Sequence, residues 1–269
     1  MRAQKAANFC IYCGASSGRL TNEHVFPYAL GGELVLPKSS CSQCAQKTSQ
    51  LELFVLRRMF GKARTKLNMR SRKPDKRPKR YPITLTMPDG SKRDHDVAGD
   101  EYPFHCTFPT YPPARALRGL LPSEVDELRI GVWSLCDEDQ VERLKVQYGA
   151  VDISLHMMDL NSSIFCRFLA KIAHGYAFAT ERQDYIPLTR DFILGAEVDP
   201  NFLVGCEDAI TFQRDADEGL LLRTWISRSF YPGFVVAFIQ FFPSEDAPVY
   251  HVLVGMMPSV IARTHRATK

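Results

Sequence analysis

Four cysteines fall in two pairs of equal spacing, Cys10-Ile11-Tyr12-Cys13 and Cys41-Ser42-Gln43-Cys44, and they bracket the segment Asn22-Glu23-His24-Val25-Phe26-Pro27. Each pair can offer two thiolates from one tight knuckle, and four thiolates fill a tetrahedral zinc ion without leaving a position open for water. A zinc held by Cys10, Cys13, Cys41 and Cys44 is therefore structural. Chemistry belongs in the bracketed segment, where a carboxylate stands beside an imidazole. Glu23 can hold a hard divalent ion such as Mg2+ or Mn2+, and His24, with an unperturbed pKa of about 6.5, can take a proton from water. A base for water and a cation for developing charge are what phosphodiester hydrolysis requires.

A polyanionic substrate also agrees with the distribution of charge. The chain of 269 residues has a formal charge of only +4, but Arg57 to Arg80 holds twelve Lys and Arg against Asp75 alone, a local +11 beside −7 elsewhere. Such a concentrated block points to one site for a polyanion rather than to general stickiness. Arg57, Arg58, Lys62, Lys66, Arg70, Arg72 and Lys73 are the candidate contacts to nucleic acid.

The elements that must carry these residues can be read from spacing. Leu20 to Phe26 reads as a strand, Ala29-Leu30-Gly31-Gly32 as a turn, and Glu33 to Leu36 as a second strand ending before Pro37. Ser39 or Ser40 then caps a helix that places the second cysteine pair on its first turn. Leu51, Val55, Met59, Ala63 and Leu67 recur every four residues and give that helix one apolar face. Its other face is cationic, through Arg57, Arg58, Lys62 and Lys66.

The ordered set Cys10-x-x-Cys13-Gly14, Asn22-Glu23-His24-Val25-Phe26-Pro27, Leu30-Gly31-Gly32 and Cys41-x-x-Cys44 resembles the HNH endonuclease family over roughly residues 9 to 68. The resemblance implies a zinc-stabilised ββα-metal finger acting on DNA, with Glu23 as ligand to a catalytic Mg2+ or Mn2+ and His24 as general base. One position departs from the family pattern. Where the family carries Asn or His after the second pair, as a further metal ligand on the helix, this chain has Ala45. Three arrangements follow: Gln46, Thr48, Ser49 or Glu52 substitutes, Glu23 and solvent hold the ion, or the site is inactive and the finger only binds nucleic acid or a protein.

The expected class is α+β, divided into a finger over 1–68, a basic proline-rich linker over 69–82 and a mixed domain with an antiparallel sheet over 83–269, suited to target recognition, a protein partner or self-association. In that last part, strands are expected at Tyr81 to Met87, with a hairpin at Asp89-Gly90, and at Leu128 to Leu135, Val151 to Met157, Leu220 to Phe230, Phe234 to Phe242 and Val249 to Met257. Helices are expected at Asp137 to Tyr148 and, capped by Asp159 or Asn161, through Ala179. His156 and His174 read as core or rim residues, Trp133 and Trp225 as core, and Cys106, Cys136, Cys166 and Cys206 as buried free thiols. No apolar run reaches the roughly 18 residues of a membrane span, and Met1 to Lys5 lacks the apolar stretch of a secretory signal, so a cytoplasmic, membrane-free protein without disulfides is expected.

Overall fold

The computed structural model describes residues 4–124, 127–137, 139–156, 159–181, 184–206, 221–243 and 247–258. Met1 to Ala3, Glu138, Met157 and Leu220, which fall in stretches assigned above, lie outside them. In chain order the elements are β1 (Leu20–His24), β2 (Val35–Cys41), α1 (Ser42–Phe54), a π-helical turn (Val55–Met59), α2 (Ala63–Lys66), β3 (Arg80–Thr86), β4 (Lys92–Ala98), β5 (His105–Thr110) and β6 (Arg129–Ser134). There follow α3 (Gln140–Tyr148), β7 (Asp152–Leu155), α4 (Ser162–Thr180), β8 (Ile186–Pro187), α5 (Arg190–Leu194), α6 (Pro200–Leu203), β9 (Val204–Cys206), β10 (Leu222–Ser227), β11 (Phe234–Phe241) and β12 (Val249–Met256).

All strand pairs are antiparallel, and the class is mixed α and β as expected. β1 pairs with β2; β3 lies between β4 and β7; β5 pairs with β6; the remaining sheet runs β10-β11-β12-β8, with β9 also on β12. The hairpin at Asp89-Gly90 joins β3 to β4, and the Asp89 carboxylate accepts the Ser91 N–H at 2.9 Å to close the turn.

Helix α4 is the centre of the molecule. Asn161 caps it, accepting the Ile164 N–H at 2.9 Å, and Phe165, Phe168, Leu169 and Ile172 are all fully buried. An apolar helix of this kind needs cover on more than one side. It gets that cover from β11 and β12 on one flank and α1 on another. Phe168 stacks on Phe241 with ring centroids 6.0 Å apart, while Phe60, just past the π turn, meets Phe165 at 6.2 Å and Phe241 at 5.3 Å. The helix of the finger thus ends inside the same aromatic core as the large sheet.

Several expectations need correction, each for a physical reason. The helix from Ser42 does not run unbroken to Leu67. An apolar stripe repeated every four residues drifts around a helix of 3.6 residues per turn. The π turn, closed by the Phe60 N–H on the Val55 carbonyl at 2.8 Å, absorbs the drift and keeps Val55, Met59 and Ala63 buried. β2 begins later than expected and continues through Pro37, because the ladder shifts register opposite Thr21 to Glu23, where a proline is tolerated. Ser39 and Ser40 are buried in that strand; Cys41 stands at the cap position with no side-chain cap bond.

The stretch expected as a linker has local structure of its own: Pro74–Lys76 forms a 3-10 turn, and Arg77 folds back onto the Asn68 side chain at 3.1 Å and the Met69 carbonyl. Cys136 is only half-buried, as are Trp133 and Trp225, whereas Cys106, Cys166 and Cys206 are buried as expected. Among the described residues no helix is long and apolar enough to cross a membrane.

His251 on β12 gives the core a pH dependence. Its ring is fully buried, and Nε2 accepts the Ala114 N–H at 2.9 Å, which only the neutral form can do. Burial lowers its pKa to about 4. Between that value and an unfolded value of about 6.5 the unfolded chain binds the extra proton, so stability falls as pH is lowered through this window. Chemical denaturation from pH 7 to pH 4 should show this loss, and His251→Gln should flatten the slope across that window.

Candidate functional site

The two cysteine pairs close into one cluster. Cys10 and Cys13 lie in a knuckle made by the Gly14 N–H on the Cys10 carbonyl at 2.8 Å and the Cys10 N–H on the Ala15 carbonyl at 2.7 Å. Gly14 has φ of +79°, a left-handed conformation that favours glycine. The knuckle is hooked to β2 by the Ile11 N–H on the Ser39 carbonyl at 2.9 Å. Cys41 and Cys44 come from the end of β2 and the first turn of α1.

All four sulfurs lie within 4.8 Å of one another, and Cys13 and Cys41 are 3.8 Å apart, far beyond a disulfide. A tetrahedron with Zn–S of about 2.3 Å has edges of about 3.8 Å, so the donor set fits a structural zinc. The Cys44 backbone N–H at the start of α1 lowers the Cys41 thiol to about 7, favouring the thiolate a metal needs. Burial of Cys44, followed by the neighbouring sulfurs, pushes its thiol upward. Four thiolates this close need a cation among them.

Between the pairs, the turn before β2 has two glycine requirements. Gly31 has φ of +79°, and a Cβ on Gly32 would lie 2.3 Å from the Phe26 carbonyl oxygen. This close approach folds the Pro27 to Gly32 turn back against the end of β1.

Glu23 and His24 do not converge. Successive strand residues face opposite ways, and here Glu23 is 5% exposed while His24 faces solvent. On the buried side Glu23 meets a residue that the motif analysis passed over, Lys171 of α4. Its ammonium lies 2.9 Å from the Glu23 carboxylate and 2.6 Å from that of Glu52, and it also donates to the carbonyls of His24 and, at 3.3 Å, Val25. Burial by itself would lower the Lys171 pKa, but the charges of Glu23 and Glu52 outweigh it and the net shift is upward. The ammonium is therefore charged. Breaking such a buried pair by removing one partner costs about 3–5 kcal/mol.

Neighbouring residues on α4 complete the dock. His174 bonds the Ile11 carbonyl at 2.9 Å and the Thr189 hydroxyl at 3.1 Å; burial holds its ring near a pKa of about 4, so it stays neutral. A Cβ on Gly175 would meet a Val25 methyl at 3.3 Å. Tyr12 packs on the His174 ring at 5.6 Å, and burial, then the charge of Glu23, raises its hydroxyl pKa well above 10.

Of the residues weighed against Ala45, Thr48 spends its hydroxyl on the Cys44 and Ala45 carbonyls, Gln46 and Ser49 are exposed, and Glu52 alone comes to Glu23, through Lys171. A catalytic divalent ion does not fit this arrangement, because the face of Glu23 that would hold it already holds an ammonium. Lys171 carried a legible signal: it stands seven residues after Ile164 and three after Phe168, inside the apolar stripe of α4.

The cationic tract is largely available. Arg57, Arg58, Lys66, Arg70, Arg72 and Lys73 are exposed. Lys62 is not: it is 8% exposed, donates to the Tyr102 hydroxyl and the His156 carbonyl, and burial lowers it to about 8. Its long stem reaches the core because the π turn rotates this part of the helix inward.

Residues 10–58 match the family described as HNH endonuclease. The match runs from the first cysteine pair through α1 to the π turn and takes in Glu23, His24 and Glu52. No curated protein and no solved structure matches the chain.

The cluster geometry sets a direct expectation. One zinc per chain should be found by metal analysis of the purified protein, and Cys44→Ser should lower both the zinc content and the melting temperature. Chelation should expose Tyr12 and Phe9 to solvent, read as a change in aromatic fluorescence that zinc, but not Mg2+, reverses.

Proposed function

Starting from a finger of the HNH endonuclease type, we propose that the chain is a zinc-stabilised nucleic-acid-binding protein that engages DNA through the exposed cations following α1. The chain order β1, β2, α1 supports this reading, and a zinc among the four cysteines would fix the start of the helix that leads into the tract. The observation that carries the reading is the run of exposed cations, Arg57, Arg58, Lys66, Arg70, Arg72 and Lys73, leading out of the zinc-held helix. Two of them are paired only weakly. Arg58 meets Asp159 at 3.2 Å and Arg70 meets Glu33 at 3.5 Å, both in solvent. Such pairs are worth at most about 1 kcal/mol and yield readily to phosphate.

A second reading, hydrolysis of the phosphodiester with His24 as general base, is favoured by one observation: the imidazole is exposed at the end of β1. The residues around Glu23 leave no place for the cation that this reaction needs. Ala45 cannot ligate, and Lys171, 1% exposed, neutralises Glu23 without reaching a bound phosphate.

Duplex binding measured against salt concentration separates the two. The affinity should fall steeply with salt, and replacing Arg70, Arg72 and Lys73 by Gln should reduce the log–log slope by about two to three. His24→Ala should bind as the parent does, and supercoiled plasmid should remain intact in Mg2+ or Mn2+. Nicking that disappears in His24→Ala would favour hydrolysis instead; a salt-independent affinity would remove the binding assignment.

A further inference from the structure

The surroundings of Lys171 are those of a cation site. Four oxygens face its Nζ: one from Glu52 at 2.6 Å, one from Glu23 at 2.9 Å, and the carbonyls of Val25, at 3.3 Å, and His24. No nitrogen or sulfur ligand takes part among these contacts. Carboxylate and carbonyl oxygens converging on one point are the donor set of hard cations. They come from two places, the end of β1 with the residue after it and α1, and the lysine they surround comes from a third, α4.

The charge at this point is informative. Two carboxylates against one ammonium leave the cradle at −1, so a single positive charge is the least it can hold, and a divalent ion in its place would balance it. Ion and ammonium cannot share the position, since the lysine sits where the oxygens meet. The helix that carries the lysine is itself docked here: His174 is bonded to Ile11 and Thr189, and Gly175 lies against Val25 one turn further along.

We propose that Lys171 is a built-in cation occupying an oxygen cradle formed by Glu23, Glu52 and the His24 and Val25 carbonyls, that it excludes a divalent ion from Glu23, and that removal of its ammonium opens a hard-metal site. The ammonium has taken over a structural role, holding the end of β1 and the middle of α1 to α4. Glu52 is the second carboxylate of the cradle. This stands whether or not the cationic tract binds DNA, and its test contains no nucleic acid.

The experiment uses the full zinc-loaded chain, with Mn2+ alone as the probe, followed by electron paramagnetic resonance and by calorimetry. The parent protein should show no saturable, Glu23-dependent Mn2+ site up to about 1 mM free ion. Lys171→Met, which keeps the length and the apolar stem, should gain one Mn2+ site at least about tenfold tighter, and Lys171→Met with Glu23→Gln should lose it again. A parent protein that binds one Mn2+, with Glu23→Gln abolishing it, would overturn the proposal, since the ion would then displace the lysine. A folded Lys171→Met that gains no site would overturn it equally. Should Lys171→Met fail to fold, the parent against Glu23→Gln decides: no Glu23-dependent binding supports the proposal, and its presence refutes it.

Discussion

A single buried ammonium ties this molecule together. Lys171 lies on the most deeply buried helix and meets two carboxylates, Glu23 of β1 and Glu52 of α1, that are 29 positions apart in the chain and far from it in sequence. Alone, any of the three charges would be costly to bury; together, with two backbone carbonyls sharing the ammonium's remaining N–H, they hold one another in place. The docking of α4 on the finger follows from that match. Glycine at position 175 permits the close approach, and neutral His174 satisfies the Ile11 carbonyl beside the cysteine knuckle.

The cysteine cluster and the lysine divide the work of positioning. The four thiolates act at one end of the finger, where the knuckle, the end of β2 and the first turn of α1 meet. The ammonium acts at the other, where β1 ends and α1 approaches its π turn. Between these two points β1 is held inward at Glu23 and outward at His24. The same strand therefore presents an imidazole to solvent while its carboxylate is withdrawn. The cost is chemical: a carboxylate committed to an internal ammonium is no longer free to hold an ion for a substrate.

Much of the finger was legible from residue types. Two CxxC pairs, a turn with two adjacent glycines, and an apolar stripe along the helix each map onto the elements found, because each reflects a local geometric demand. The π turn was missed, although a repeat of four cannot stay on one face of a regular helix. Three strands of the large sheet, β10, β11 and β12, and the asparagine cap of α4 were equally readable from alternation and capping chemistry, whereas the short β8 and β9 were not. What spacing could not reveal was which carboxylate meets which cation across the fold. Glu52 was two turns from the position of interest along the helix, and only the packing of α4 brings it to Glu23. Lys62 looked like one of a row of surface cations until the rotation at the π turn carried it inside. Lys171 was the informative exception: a lysine in register with Ile164 and Phe168 has to find a buried anion, and it finds Glu23.

The central claim is that the position facing Glu23 belongs to an ammonium and not to a divalent ion. Anomalous diffraction from crystals of the zinc-loaded protein soaked in Mn2+ tests it most directly. The account predicts one zinc peak among Cys10, Cys13, Cys41 and Cys44, no manganese peak between Glu23 and Glu52, and Lys171 Nζ in place. A manganese peak between those two carboxylates, with Lys171 turned away, would contradict it.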